Sequence, residues 1–152
     1  MSYDSDFKNI LVPVDGSEFS MRALKYAIPI MNKFNSNLTA LHIVPSSISY
    51  DFFTREKKFE TISPINQIFQ TAYTEAQKSF DDIKEKLGVE FKTDVIIAEE
   101  SIVKEIIEYA EREKMDLIII GTRGKTGFKK LILGSVASGV LTLAHCPVLI
   151  VR

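Results

Sequence analysis

At 152 residues the chain is long enough for one well-buried domain and too short for two. Hydrophobic residues make up 45% and charged residues 26%, as in soluble globular proteins, and 19 basic against 20 acidic side chains give no overall basic footprint for nucleic acid. No apolar run approaches the roughly 18 residues that span a bilayer, and the acidic start Met1-Ser2-Tyr3-Asp4-Ser5-Asp6 is unlike a secretory signal, so a cytoplasmic protein is expected, with neither nucleic acid nor membrane as a partner.

Asn9 to Val14 is a nearly continuous apolar run that ends in the turn-like Asp15-Gly16-Ser17, and it predicts a first strand. Ser17 can N-cap a helix whose Phe19, Ala23, Tyr26, Ala27 and Ile30 recur at helical spacing. Pro29 inside that pattern should bend the helix or mark its last turns. Leu38 to Val44 predicts a second strand, stopped by Pro45. Residues 46–63, with Phe52, Phe53 and Phe59, have no clean period and suggest a long connection that could cover a site as a lid. From Pro64 a long amphipathic pattern runs to Gly88, a natural helix stop.

Phe91 to Ile97 is a more polar strand, suited to a sheet edge, and Ile102 to Ala110 carries a third helical stripe. Asp116 to Ile120 reads as a buried strand ending at Gly121, Ser135 to Ala144 as a last helix, and Pro147 to Val151 as a closing strand. The order β-α-β-α-β-α-β-α-β, with apolar runs suited to burial on both faces, predicts an α/β fold of one domain over residues 1–152. It should form an open, doubly wound five-stranded parallel sheet with helices on both faces. Such sheets bind ligands beyond the carboxyl ends of their strands, where the strand order reverses. That directs attention to Pro13 to Ser17, Ile43 to Ser47, and the segment from Gly121 onward.

The last of these segments runs Gly121-Thr122-Arg123-Gly124-Lys125-Thr126-Gly127 and continues to Gly134-Ser135-Val136-Ala137. Glycines allow positive φ and close backbone approach, and a helix N-terminus offers N–H groups and a positive dipole to an anion. Ser135 would cap that helix or present its hydroxyl to a phosphate. Arg123, Lys125, Lys129 and Lys130 add positive charge, although a glycine-rich connection with solvated lysines is the plainer alternative. A Walker A loop is excluded because Ile119 stands where its first glycine should be, and the glycine spacing also fails the dinucleotide pattern G-x-G-x-x-G.

The pattern that does match is G-x2-G-x9-G-[ST], through Gly121, Gly124, Gly134 and Ser135. With the opening Ile10 to Ser17, the strand Leu41 to Val44, the run Asp116 to Gly124 and the closing Cys146 to Val151, the sequence resembles the ATP-binding branch of the universal stress protein family. The resemblance implies an adenine nucleotide alpha-hydrolase-like sheet with strand order 3-2-1-4-5. It also implies a pocket for ATP (or ADP or AMP), with Mg or Mn bound mainly through the phosphates. By matching positions, Pro13, Val14 and Asp15 would line the pocket, and Ile43 would meet the adenine through its backbone. Gly121, Thr122, Arg123, Gly124, Lys125, Thr126 and Gly127 would wrap ribose and phosphates. Gly134, Ser135, Val136 and Ala137 would supply helix-terminal N–H groups and a hydroxyl. Asp15 could help to hold the metal or simply close the turn. The family also implies a homodimer through Pro147 to Val151. One departure is visible: Ala98-Glu99-Glu100-Ser101 replaces the family's Gly-x-Pro turn, and its acids would oppose a phosphate if they pointed inward.

Other candidates are weaker. His42 sits in an apolar strand, as a hydrogen-bonded structural histidine would. His145 and Cys146 adjoin, but no acidic partner is evident, and a single cysteine excludes an internal disulfide or a Cys-based zinc site. Beyond Asp15 the sequence offers no convincing base, so a nucleotide-dependent regulator or sensor in stress response is expected, with at most weak ATP hydrolysis. A slow ATPase or phosphoryl or nucleotidyl transferase, and a nucleotide-independent dimeric interaction module, are the alternatives.

Overall fold

The computed structural model describes residues 7–45, 64–123 and 133–152. Within them strands β1 (Asn9–Pro13), β2 (Asn37–Val44), β3 (Lys92–Ile97), β4 (Leu117–Gly121) and β5 (Val148–Val151) alternate with helices. These are α1 (Glu18–Phe34), α2 (Pro64–Leu87), α3 (Ile102–Arg112) and α4 (Ser135–Leu143). All strand pairs are parallel, and the order is β3-β2-β1-β4-β5, as expected. The polar strand β3 lies at one edge and the short terminal β5 at the other.

The apolar runs form strands because both sides of the sheet are covered. On one face Ile10, Val12, Leu38, Ala40 and Ile119 pack with Ala23, Leu24 and Ala27 of α1 and Phe80 of α2. On the other, Leu11, Leu41, Ile43, Ile118 and Ile120 pack with Ile106, Tyr109 and Ala110 of α3 and with Ala137 and Val140 of α4. Burying one such aliphatic side chain contributes about 1.5–3 kcal/mol, so the central strands carry most of the hydrophobic stabilisation. Tyr109, almost wholly buried, donates its hydroxyl to Asp94 Oδ2 at 3.0 Å, and burial raises the phenol well above its ordinary pKa.

Three helices stop in the same way. Asn35 (φ 52°), Gly88 (φ 62°) and Lys114 (φ 52°) are left-handed, and the next N–H in each case reaches back five residues: Ser36 to Met31 O, Val89 to Lys84 O, Met115 to Ala110 O. Pro29 lies within α1, which continues past it to Phe34, so it marks the last turns of the helix without ending it. The segment 46–63, expected as a connection or lid, is outside the described residues.

Candidate functional site

Strand β1 lies between β2 and β4, and the chain leaves β1 and β4 toward opposite faces, into α1 and α4. The carboxyl ends of these two strands therefore part around a crevice, the position at which such sheets take ligands. One wall is the β1–α1 loop and the end of β2. The other is the end of β4 and the N-terminus of α4.

The first wall is closed by side chains. Asp15 Oδ1 accepts the N–H of Ser17 at 2.9 Å, and Ser17 Oγ accepts the N–H of Ser20 at 3.2 Å and so caps α1. Ser20 Oγ accepts the Asp15 N–H at 3.3 Å and donates to the Ser17 carbonyl at 3.0 Å. Asp15, Ser17 and Ser20 thus form a closed set of hydrogen bonds around the first turn of the helix. Val14, just before it, is tied to β2 through its N–H, which donates to Leu41 O at 2.8 Å, and through its carbonyl, which lies 2.8 Å from His42 Nδ1.

The second wall depends on side chains that are absent. A Cβ at Gly121 would fall 2.7 Å from the carbonyl carbon of Phe19 and 2.8 Å from its oxygen, closer than such atoms can pack. Only glycine lets the first turn of α1 settle on the end of β4. A Cβ at Gly134 would meet Thr122 O at 2.9 Å, and the Gly134 N–H donates to that same oxygen at 2.7 Å. Thr122 N–H in turn donates to Val151 O at 2.8 Å, so the start of α4 is held against β4 and β5. Gly134 has φ −60° and ψ 157°, open to any residue; close approach, not positive φ, is what demands glycine here.

Gly134 is the N-cap of α4 and contributes no side-chain bond, and Ser135 is the first helical residue, exposed. Of the two roles expected for Ser135, capping the helix is corrected, because Gly134 holds the cap: the Ser135 hydroxyl is left to the surface, and the N–H groups of Ser135, Val136 and Ala137 open the helix without a side-chain acceptor from the cap. Arg123 lies with its guanidinium 5.7 Å from the centre of the Phe19 ring, and that of Arg22 lies 5.8 Å from the same centre.

Of the residues singled out in the sequence, Pro13, Val14, Asp15 and Ile43 lie on the first side of the crevice. Gly121, Thr122, Arg123, Gly134, Ser135, Val136 and Ala137 lie on the second. Gly124, Lys125, Thr126 and Gly127 are outside the described residues. Ile43 is buried on the α3–α4 face, while the register turns its backbone groups toward β1. Val44 O accepts the Ala98 N–H on the β3 side and Leu41 O accepts the Val14 N–H on the β1 side. Alternation then points the Ile43 N–H and carbonyl past the end of β1.

In the unusual turn, Glu99 and Glu100 are both exposed, and the Glu100 carboxylate is paired within its own helix start. Ser101 Oγ caps α3 by accepting the Lys104 N–H at 3.1 Å, Glu100 pairs with Lys104 Nζ at 2.6 Å, and Glu105 accepts the Glu99 N–H at 2.9 Å. Ser101 before an apolar periodic stretch is a capping signal that could have been read in the sequence. His145 is exposed and Cys146 half-buried. Burial, reinforced by Asp116, raises the Cys146 thiol above its ordinary pKa, the opposite of what a thiolate nucleophile needs. Among the described residues no group of three or more His, Cys, Asp or Glu side chains gathers as a metal site, and no helix is long and apolar enough to cross a membrane.

An open parallel sheet of this order, with helices on both faces, defines a doubly wound α/β domain. The sequence model of the universal stress protein family matches residues 6–152, and the chain belongs to that family. It is 38% identical over 146 residues to a universal stress protein of Methanocaldococcus jannaschii, MJ0531, covering 96% of this chain and 82% of the relative. The solved structure of UspA from Lactobacillus plantarum superposes with a TM-score of 0.78 at 25% identity, covering 96% of this chain and 98% of that one. A universal stress protein from Archaeoglobus fulgidus, solved in complex with dAMP, has the same fold: TM-score 0.60, 22% identity, 97% of this chain and 99% of that one.

Proposed function

We propose that this chain binds an adenine nucleotide in the crevice and acts in the cytoplasm as a nucleotide-dependent regulator of the stress response. The ligand would be ATP, with a divalent ion carried mainly on its phosphates, or ADP or AMP. The observation that carries this proposal is the N-terminus of α4, nine residues long, which begins at a glycine with no capping side chain and is pressed by backbone contacts against the end of β4. Its first N–H groups and the helix dipole suit a phosphate. The Asp15 loop, the Ile43 backbone and Gly121 to Arg123 would then hold base and ribose, with Gly124 to Gly127 completing the wrap. The dAMP complex of the Archaeoglobus relative supports this at the level of the shared fold. Catalysis would need a base aimed at a phosphate. Asp15, the described carboxylate at the crevice, already spends one oxygen on the Ser17 amide, which favours holding over turnover.

Ser135→Asp tests this. An acid in the first turn favours the helix by about 0.3–1 kcal/mol through the dipole, yet it repels a phosphate placed there. Titration calorimetry with Mg·ATP should show binding to the parent and a loss of about tenfold or more in the variant, with thermal stability kept or raised. A parent that neither binds Mg·ATP nor co-purifies with an intact adenine nucleotide would sink the proposal.

The same chain would pair with a second copy through β5. That strand is an outer strand of the sheet, and Leu149, Leu141 and Leu143 around it are 39%, 49% and 60% exposed. Sedimentation should then give a dimer, and a monomer at all concentrations would refute it.

A further inference from the structure

Among the described residues, His42 makes a contact at the crevice that the nucleotide proposal does not use. It lies on β2 between Leu41 and Ile43, and strand alternation places it on the α1 face, with Leu38 and Ala40. Its Nδ1 is 2.8 Å from the carbonyl oxygen of Val14. A carbonyl can only accept, so the proton in this bond is on Nδ1.

The position of that bond in the ladder gives it meaning. In a parallel pair a residue donates its N–H to one carbonyl of the neighbouring strand and accepts from the N–H two residues further on. Val14 donates to Leu41 O; were the ladder continued, its carbonyl would accept the N–H of Ile43. His42 takes that carbonyl instead. The rung is intercepted by a side chain from the same strand, and the Ile43 N–H and carbonyl face the crevice.

We infer that His42 is a positioning residue that ends the β1–β2 ladder at Val14 and thereby turns the backbone of Ile43 into a donor–acceptor pair for the edge of a base. This rests on the nucleotide proposal for its ligand and on the His42–Val14 contact for its mechanism. One N–H and one carbonyl side by side complement adenine, which offers an acceptor ring nitrogen beside an amino donor. Guanine presents the reverse along the same edge.

Two variants separate positioning from bulk. In His42→Leu the donor is gone and the Val14 carbonyl can close the rung with Ile43. In His42→Asn the side-chain amide nitrogen can occupy the place of Nδ1. Without nucleotide, hydrogen exchange of the Ile43 amide should slow in His42→Leu and stay near the parent rate in His42→Asn. The imidazole nitrogen spectrum of the parent should show the tautomer protonated at Nδ1. An unchanged Ile43 exchange rate in the leucine variant, or a parent protonated at Nε2 alone, overturns the inference. With nucleotide, His42→Leu should lose about tenfold in Mg·ATP affinity and most of its preference over Mg·GTP, while His42→Asn stays within about threefold of the parent. Equal losses in both variants, or an intact ATP preference in His42→Leu, overturn it too. A parent that binds neither nucleotide but shows the expected tautomer and exchange defeats the nucleotide proposal and leaves the ladder-ending role of His42 standing.

Discussion

The two walls of the crevice are built on opposite principles. Around Asp15, Ser17, Ser20 and His42 the chain is held by polar side chains that satisfy backbone groups. Around Gly121 and Gly134 it is held by backbone against backbone, with side chains excluded. The first kind of wall can lose one bond and keep its shape, because its hydrogen bonds form a closed set. The second kind has no spare part: one added carbon atom forces whole segments apart. A ligand held between them would meet adaptable side chains on one side and rigid peptide on the other.

The glycine wall should therefore suffer most from the smallest change. Gly121→Ala puts a methyl group against the Phe19 peptide, which cannot turn aside as a side-chain tip would, and the expected loss is about 3 kcal/mol or more. Gly134→Ala meets a single oxygen closely, with Arg123 Cα at a tolerable 3.4 Å, so a loss of about 1–3 kcal/mol is expected. Urea denaturation of both variants checks the order. If Gly121→Ala were as stable as the parent, these glycines would owe their place to the ligand alone, and the contrast between the walls would dissolve.

Much of the fold was open to sequence reading because its signals are local. Continuous apolar runs such as Leu117 to Ile120 mark strands covered on both faces, and Gly88 stops α2 where a left-handed residue is needed. The place of the crevice followed from element order. Its construction did not. Nothing in the spacing of Gly121 and Gly134 reveals that one faces the peptide of Phe19 and the other the carbonyl of Thr122, since both contacts join elements far apart in sequence. His42 could be read as a hydrogen-bonded structural histidine, as it is, but its partner Val14 is fixed only by the β1–β2 register, which places Pro13 beside Leu41. The Ser17 cap, by contrast, involves neighbours, and it was legible.

That cap gives the smallest expected effect and the sharpest check on the side-chain wall. Ser17→Ala removes the oxygen that accepts the Ser20 N–H but leaves the Ser17 N–H to Asp15 and the Ser17 carbonyl to Ser20 Oγ. The loss should be about 1 kcal/mol, the usual worth of an N-cap, and Ser17→Asp should recover most of it. If the wall is a closed set, Asp15 keeps its place and Mg·ATP affinity falls by no more than about threefold, because the helix start frays while the loop before it stays bonded. A fall in affinity as large as that expected for Ser135→Asp would mean that the cap, and not the set, holds Asp15 in position. The first wall would then be as brittle as the second.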